Sequence, residues 1–168
     1  MLKGHLLPEF FRRFFWQLIG SSGSTKDAKA ADIAPIERDS EAIGQLEDGM
    51  TIGIGGWGPR RKPMALVREI LRTNLNDLTL VSYGGADVGM LCAAGRVSKL
   101  IFAFVSLDFI PLEPFFRQAR QSGKLDVLEI DEGMMLQGLR AAAWRIPFIP
   151  TAVGLGTDII EKTSEIKM

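Results

Sequence analysis

The stretch MTIGIGGWGPRRKPMALVREILRT, residues 50–73, decides the fold. An apolar alternating run, typical of a β-strand, leads into a glycine-rich loop, and apolar residues at helical spacing follow. Pro63 stands at the expected first position of that helix, where a missing N–H leaves no hydrogen bond unmade. A strand, a glycine loop and a helix in this order predict the first unit of an α/β protein with a parallel sheet.

The same alternation continues along the rest of the chain. We predict helices over residues 38–49, 63–73, 86–95, 112–123 and 132–145. We predict strands over residues 50–56, 77–85, 99–108 and 125–130, and a last strand and glycine loop over 146–156. Near-continuous apolar strands are typical of a parallel sheet that helices cover on both faces. The predicted fold is therefore a three-layer α/β/α arrangement with a mainly parallel sheet.

The glycine loop contains the pattern G-x-G-x-x-G at Gly53, Gly55 and Gly58. In a dinucleotide-binding fold the third glycine packs inside the helix, and an acidic residue closes the second strand. Here Pro59 and a further proline delay the helix, because a residue before proline is pushed away from the helical region. The second strand ends in S-Y-G-G, without an acid at its tip. We therefore expect no nicotinamide or flavin site.

The loop has a second property, which is a cluster of positive charge. Gly55 and Gly56 leave backbone amides open to a carbonyl or phosphate group. Arg60, Arg61 and Lys62 follow at once, and three cations beside a helix start suit an anionic ligand. A solvated surface loop is the alternative interpretation of the same residues.

Composition excludes several other classes of function. Lys plus Arg and Asp plus Glu number 20 each, so net charge gives no reason to expect nucleic acid or a membrane as partner. The only histidine is His5, which argues against Ser-His-Asp catalysis and histidine-based zinc sites in the globular part. The only cysteine, Cys92, cannot form an internal disulfide, as suits a cytoplasmic protein.

Residues 1–35 are predicted to be an atypical extension and a flexible linker, and residues 36–168 the domain proper. Arg12 and Arg13 interrupt the apolar N-terminal run, so it is expected to be neither a membrane span nor a signal peptide. It is either a short amphipathic helix that contacts a membrane or partner, or an extension without a role.

Several segments together resemble a known family. They are DGMTIGIGGWG at 48–58, SYGG at 82–85, AGRV at 94–97 and LEIDEGMMLQGLRAAAWRIPFIPTAVGLGT at 128–157. In order and spacing they resemble the α subunits of family I coenzyme A transferases, whose three-layer α/β/α fold agrees with the predicted elements. Within the family the likeness is greatest to the α subunits of ring-opening CoA hydrolases of steroid degradation. Those subunits share GGWG followed by R-R-K-P, and also D-E-G-M.

The resemblance implies a coenzyme A thioester as substrate, with no metal and no permanently bound cofactor. Its glycine loop would lie at an active site between α and β subunits. Gly55, Gly56 and the Trp57 amide would hold the thioester oxygen as an oxyanion hole does, although Trp57 is equally suited to packing. The loop cations are assigned to the same binding site: Arg60, Arg61 and Lys62. Six further residues are expected to line the pocket: Ser82, Gly84, Gly85, Gly154, Gly156 and Thr157.

Glu132 departs from the usual transferase pattern. Typical α subunits read Pro-Gln-Gly-Thr where this chain has residues 131–134, Asp-Glu-Gly-Met. The hydrolase-like α subunits share the glutamate, which is implicated there as the catalytic acid or base. The resemblance therefore implies that Glu132 is catalytic, while a glutamate near a helix start is also an ordinary stabilising residue. Ser106 and Asp108, which end the third predicted strand, are expected to form a pocket wall or a helix cap.

The resemblance also implies a partner. The catalytic glutamate of the transferases belongs to a Ser-Glu-Asn-Gly motif of the β subunit, and this chain has no such motif. We therefore expect a heterodimer or heterotetramer with a β subunit. Family α subunits continue past the Gly-x-Gly-Thr loop, so the chain is expected to be truncated. Three functions remain open: a subunit of a hydrolase that opens a cyclic β-dicarbonyl acyl-CoA, a subunit of a CoA-transferase, and a non-catalytic remnant or β-subunit-binding module.

Overall fold

Within residues 38–163 the chain forms a four-stranded sheet in which every strand is parallel to its neighbours. A computed structural model describes residues 38–163, so the predicted extension over 1–35 lies outside the described residues. The strands are β1 (Thr51–Trp57), β2 (Leu78–Gly84), β3 (Val97–Val105) and β4 (Asp126–Glu129), and they stand in the order β1-β2-β3-β4.

Helices precede, connect and follow these strands. They are α1 (Asp39–Ile43), α2 (Met64–Arg72), α3 (Ala86–Ala93), α4 (Pro114–Gln121), α5 (Glu132–Trp144) and α6 (Ile159–Lys162). Crossovers between parallel strands are right-handed, so connections that always step to the next strand place their helices on one face of the sheet. The helices α2, α3 and α4 are those connections.

The two faces of the sheet are covered by different helices. Successive residues of a strand point to opposite faces. Leu80 and Leu100 belong to the main core, which the buried side chains of α1 to α4 complete. Their neighbours Val81 and Ile101 belong to a second cluster, which is closed by Met135 of α5. The predicted three-layer arrangement is confirmed, with α5 as the third layer.

Two predicted elements differ from the structure. The first helix stops at Ile43 instead of continuing to residue 49. The strand predicted over 146–156 does not form. Pro147 and Pro150 interrupt it, and a proline has no N–H to give to a neighbouring strand. This segment is an irregular loop whose Phe148 is exposed.

Candidate active site

The glycine loop begins with a β-bulge at the carboxyl end of β1. The pairing of β1 with β2 is regular up to Ile54 and resumes only at Trp57. It therefore skips Gly55 and Gly56. Residues in a bulge lie outside the regular ladder, so the amides of these two glycines remain candidates to face a ligand.

The backbone amide of Trp57 is not such a candidate, which corrects the prediction. Trp57 and Arg60 form an antiparallel bridge in which each N–H donates to the other residue's carbonyl oxygen at 3.0 Å. The turn depends on Gly56, whose φ is +93°. A Cβ at Gly56 would lie 2.8 Å from the carbonyl oxygen of Arg61, so no larger residue fits there.

The side chain of Trp57 joins the loop to Glu132. The indole Nε1 donates to the Glu132 carboxylate oxygen Oε1 at 2.8 Å, although the two residues are 75 positions apart in the chain. Glu132 is the first residue of α5, and the side chain of Asp131 caps that helix by accepting from the Gly133 amide at 2.7 Å. Two predicted site residues from distant segments are thus in direct contact.

Tyr83 also belongs to this site and was missed from the sequence. Its hydroxyl donates to the backbone carbonyl of Glu132 at 3.0 Å. Burial raises the pKa of the Tyr83 phenol, and the charges of Glu132 and Asp131 raise it further, so the phenol remains a proton donor. The alternation of β2 contained the signal, because it turns Tyr83 away from buried Ser82 and towards the face that α5 covers.

The late glycine loop packs against the start of α5. Gly154 has a φ of +87°, and the side chain of Met134 occupies the space that a Cβ at Gly154 would need. Thr157 and Gly156 are exposed, and the Thr157 hydroxyl donates to the carbonyl of Gly154 at 2.7 Å. The structure therefore brings Gly154 against the helix that begins with Glu132, and the Thr157 hydroxyl binds Gly154 within the same loop.

The three cations of the loop have separate environments. The Arg60 guanidinium pairs with Asp108 at 2.7 Å and lies 5.7 Å from the centroid of the Trp57 ring. Arg61 is exposed and adopts a φ of +55°. Asp108 does not cap a helix, because α4 begins later and is capped by Glu113. Its neighbour Ser106 accepts from the Asp108 amide at 3.0 Å within the turn.

The structure corrects the prediction that Lys62 binds a ligand. Its side chain is only 1% exposed, and its ammonium faces inward. It pairs with the buried Asp87 at 3.0 Å and donates to the Ser82 hydroxyl at 2.8 Å. Burial lowers the pKa of Lys62, while the attraction of Asp87 opposes that shift. Lys62 was predicted to bind an anionic ligand, but it pairs with a carboxylate inside the protein.

Ser82, Gly84 and Gly85 are buried and do not line a pocket, which corrects a third prediction for the site. The Ser82 hydroxyl donates to Asp87 at 2.8 Å. A Cβ at Gly84 would lie 2.9 Å from side-chain carbons of the core. These residues are small because β2, the start of α3 and the glycine loop approach one another closely.

A Gly85→Ala substitution tests that close approach. The added Cβ would lie 2.6 Å from the carbonyl carbon of Gly58, and backbone atoms cannot move aside as a flexible side chain can. We expect a loss of about 1–3 kcal/mol in the free energy of unfolding, the range for overpacking, measured by urea denaturation. Gly55→Ala is the matched control, because nothing lies within 4 Å of its Cβ. Equal stability of both variants would contradict the packing argument.

Neither a metal-binding cluster nor a membrane-spanning helix is found within the described residues. Between residues 38 and 163, the side chains of His, Cys, Asp and Glu form no group of three or more that could hold a metal ion. Within the part of the chain that the structure describes, none of the helices combines the length and the hydropathy that a membrane span requires.

Comparison with known proteins gives concordant results. The family described as Coenzyme A transferase matches residues 36–168. Two relatives named Cholesterol ring-cleaving hydrolase IpdA subunit, from Rhodococcus jostii and Mycobacterium tuberculosis, are 58% and 55% identical over 120 residues. The matched region is 71% of this chain, but 40% and 41% of those relatives, so this chain spans less than half their length.

The solved structures show the same relation. Glutaconate coenzyme A-transferase from Acidaminococcus fermentans aligns with a TM-score of 0.68 at 30% identity. The alignment covers 74% of this chain and 40% of that chain. The chain is thus similar in sequence to the two hydrolase subunits, and in sequence and fold to the transferase.

Proposed function

Because the chain belongs to the coenzyme A transferase family, we propose that it supplies the α-subunit half of an active site that hydrolyses a cyclic β-dicarbonyl acyl-CoA. The contact between Trp57 of the glycine loop and the Glu132 carboxylate is the observation that carries the proposal. The 58% identity to a ring-cleaving hydrolase subunit supports the choice of reaction, and steroid catabolism as its setting is part of the same proposal.

The proposed mechanism uses Glu132 as a general base. Its carboxylate takes a proton from water, and the resulting hydroxide adds to a ring ketone. The tetrahedral intermediate collapses to a carboxylic acid, and the bond between the former ketone carbon and the α-carbon of the thioester breaks. That α-carbon keeps the bonding electrons as a thioester enolate and is then protonated. The water proton held by Glu132 is the source of that proton, so the carboxylate is restored.

The developing enolate oxygen needs hydrogen-bond donors. The bulge residues Gly55 and Gly56 carry the amides proposed for this role, since the Trp57 amide is engaged in the bridge to Arg60. Arg60 and Arg61 are exposed at the same loop, and we assign them to the phosphate groups of coenzyme A. Gly154, Gly156 and Thr157 are proposed to border the acyl group, because their loop packs on α5.

The proposal includes a β subunit as partner, in a heterodimer or heterotetramer. Relatives at lower identity are also named as subunits, such as the acetate CoA-transferase subunit alpha of Escherichia coli. Large apolar side chains near the site are exposed, including Leu136 of α5 and Leu155 of the late loop. Exposed apolar surface is typical of protein interfaces, and we assign these side chains to the contact with the β subunit. A single cysteine, and so no internal disulfide, supports a cytoplasmic location.

Coexpression with a β subunit of the family tests the proposal. The complex would be incubated with a cyclic β-dicarbonyl acyl-CoA, with and without an acceptor carboxylic acid. The masses of the products would be measured by mass spectrometry. Addition of one water without an acceptor supports the hydrolase. Exchange of coenzyme A that requires the acceptor supports a transferase, the function that similarity to glutaconate coenzyme A-transferase favours. A stable complex with neither activity supports a non-catalytic module that binds the β subunit.

A further inference from the structure

The contact between Trp57 and Glu132 has a chemical direction. An indole N–H can only donate a hydrogen bond, and a carboxylate can only accept one. The contact at 2.8 Å has the length of a good hydrogen bond to a charged acceptor. The indole N–H therefore binds Glu132 at one defined oxygen, Oε1.

The indole is held from several directions. Its ring packs edge to face on Phe104, with ring centroids 5.2 Å apart. The Arg60 guanidinium lies over the ring, and the salt bridge to Asp108 holds that guanidinium in place. The backbone of Trp57 is closed into the bridge with Arg60. The donor is therefore presented at one position, although the side chain is 47% exposed.

The acceptor is held equally well. The Tyr83 hydroxyl binds the backbone carbonyl of Glu132, and the Asp131 cap begins the helix on which Glu132 stands. Phe104 also packs on Tyr83, with centroids 5.8 Å apart, so the indole and the tyrosine that binds Glu132 pack on the same aromatic side chain.

We propose that Trp57 is the positioning residue of Glu132, whose carboxylate it orients through Oε1, leaving Oε2 to exchange the proton. The inference rests on the proposed function for its catalytic meaning, but the coupling of the two side chains can be measured without any activity. Because the indole occupies one oxygen, a proton taken from water goes to the other.

The other charged groups near the pair determine what a titration reports. Asp131 precedes Glu132, and Tyr83 lies on β2 beneath it. The Arg60 guanidinium lies over the indole ring and pairs with Asp108. The late loop over residues 151–157 contributes no titratable side chain. Among the described contacts of Trp57 and Glu132, Asp131 is thus the one other carboxylate beside Glu132. The variant Asp131→Asn shows which of the two carboxylates causes a change in the Trp57 signal.

The test is the indole N–H resonance of Trp57, followed by NMR against pH in the chain labelled with ¹⁵N-tryptophan. The chain has three tryptophans, and the signal lost in Trp57→Phe assigns the resonance. We expect the Trp57 resonance to move with the ionisation of Glu132, and to lose that movement in Glu132→Gln and keep it in Asp131→Asn. Trp144→Phe, which removes an exposed indole from the end of α5, is the matched control and should leave the Trp57 titration unchanged.

Activity provides the second readout. In the complex with the β subunit, Trp57→Phe should lower kcat by about tenfold, because the Glu132 carboxylate loses the hydrogen bond that orients it. KM for the acyl-CoA should change by less than about twofold, since the substitution removes a hydrogen bond to Glu132 and not a proposed contact with the substrate.

A Trp57 resonance that does not titrate, or that still titrates in Glu132→Gln, overturns the coupling whatever the activity of the enzyme. The Glu132→Gln variant keeps Trp57, so this outcome does not depend on the folding of Trp57→Phe. The expected titration in a complex that hydrolyses nothing would overturn the proposed function and leave the coupling established. An unchanged kcat in a folded Trp57→Phe enzyme would overturn the positioning role.

Discussion

Replacement of Glu132 with Gln is expected to lower kcat of the complex with the β subunit by about two to four orders of magnitude, the range that a general base contributes. A glutamine cannot accept the proton of the attacking water at neutral pH. Its amide oxygen can still accept from the Trp57 indole, and the Asp131 cap of α5 is unaffected. Geometry and substrate binding should therefore survive while the proton transfer is lost. The measurement is steady-state hydrolysis followed by the appearance of the ring-opened acyl-CoA.

Glu129→Gln is the matched control for this prediction. Glu129 lies at the end of β4, is exposed, and pairs with Arg120 of α4 at 2.6 Å, on the side of the sheet away from α5. Removal of its charge should leave kcat within about twofold, because surface substitutions rarely act at a distance. Wild-type turnover in Glu132→Gln would show that Glu132 is not the general base. The attacking water would then have to be activated by the β subunit.

Loss of charge at Asp87 is expected to have the largest effect on stability. Asp87 has no exposed surface and satisfies three donors, the Lys62 ammonium, the Ser82 hydroxyl and the Gly85 amide. Asp87→Asn leaves the Lys62 ammonium buried without a counter-charge. Removal of one partner of a buried ion pair costs about 3–5 kcal/mol, which urea denaturation of the chain would measure. The variant Asp126→Asn is the control.

The control breaks an ion pair of similar length in a different environment. Lys99 and Asp126 are 2.8 Å apart at the sheet surface, and the Asp126 side chain is 64% exposed. An exposed pair contributes about 0–1 kcal/mol, so Asp126→Asn should leave stability almost unchanged. Equal destabilisation of the two Asn variants would show that burial does not account for the contribution of the Lys62–Asp87 pair to the free energy of unfolding.

The loss in Asp87→Asn should also depend on pH. Burial lowers the pKa of Lys62 in the folded protein, and Asp87 opposes that shift. Without the aspartate the folded-state pKa falls further below the unfolded value, so the unfolded chain binds more protons and stability rises with pH. The deficit relative to the wild type should therefore shrink from about pH 7 to about pH 10, as the lysine becomes neutral. A deficit that grows over this range would contradict the assignment.

A double variant that combines Lys62→Met with Asp87→Asn should recover more than half of the stability that Asp87→Asn loses. The buried ammonium is then absent, and the introduced asparagine retains an oxygen for the Gly85 amide and an amide group for Ser82. Replacement of both charges of a buried pair is often close to neutral.

The arrangement of strands and helices could be predicted from the sequence, because its signals are local. Strand and helix periodicities extend over a few residues, and capping residues, glycines and prolines punctuate them. The segments around 64–72, 78–84 and 132–144 therefore begin and end within about two residues of their predicted limits. The predicted last strand was wrong because its apolar residues suit a strand, while its two prolines prevent one.

Burial and contact at the site were decided by the tertiary structure. Nothing in R-R-K-P distinguishes Lys62 from the two arginines before it. Lys62 turns inward because it pairs with Asp87. Asp87 is buried at the start of α3, the helix that follows β2. A charge run in the sequence does not reveal which of its members has a buried partner.

The sequence by itself determined the parallel α/β fold, the family, and the two segments that matter, the glycine loop and the start of α5. Only the tertiary structure decided that these segments meet through a side chain, the Trp57 indole on the Glu132 carboxylate. The physical reason is one of range. Backbone propensity acts between near neighbours, whereas a hydrogen bond across 75 residues depends on the packing of strands that bring their carboxyl ends to one edge.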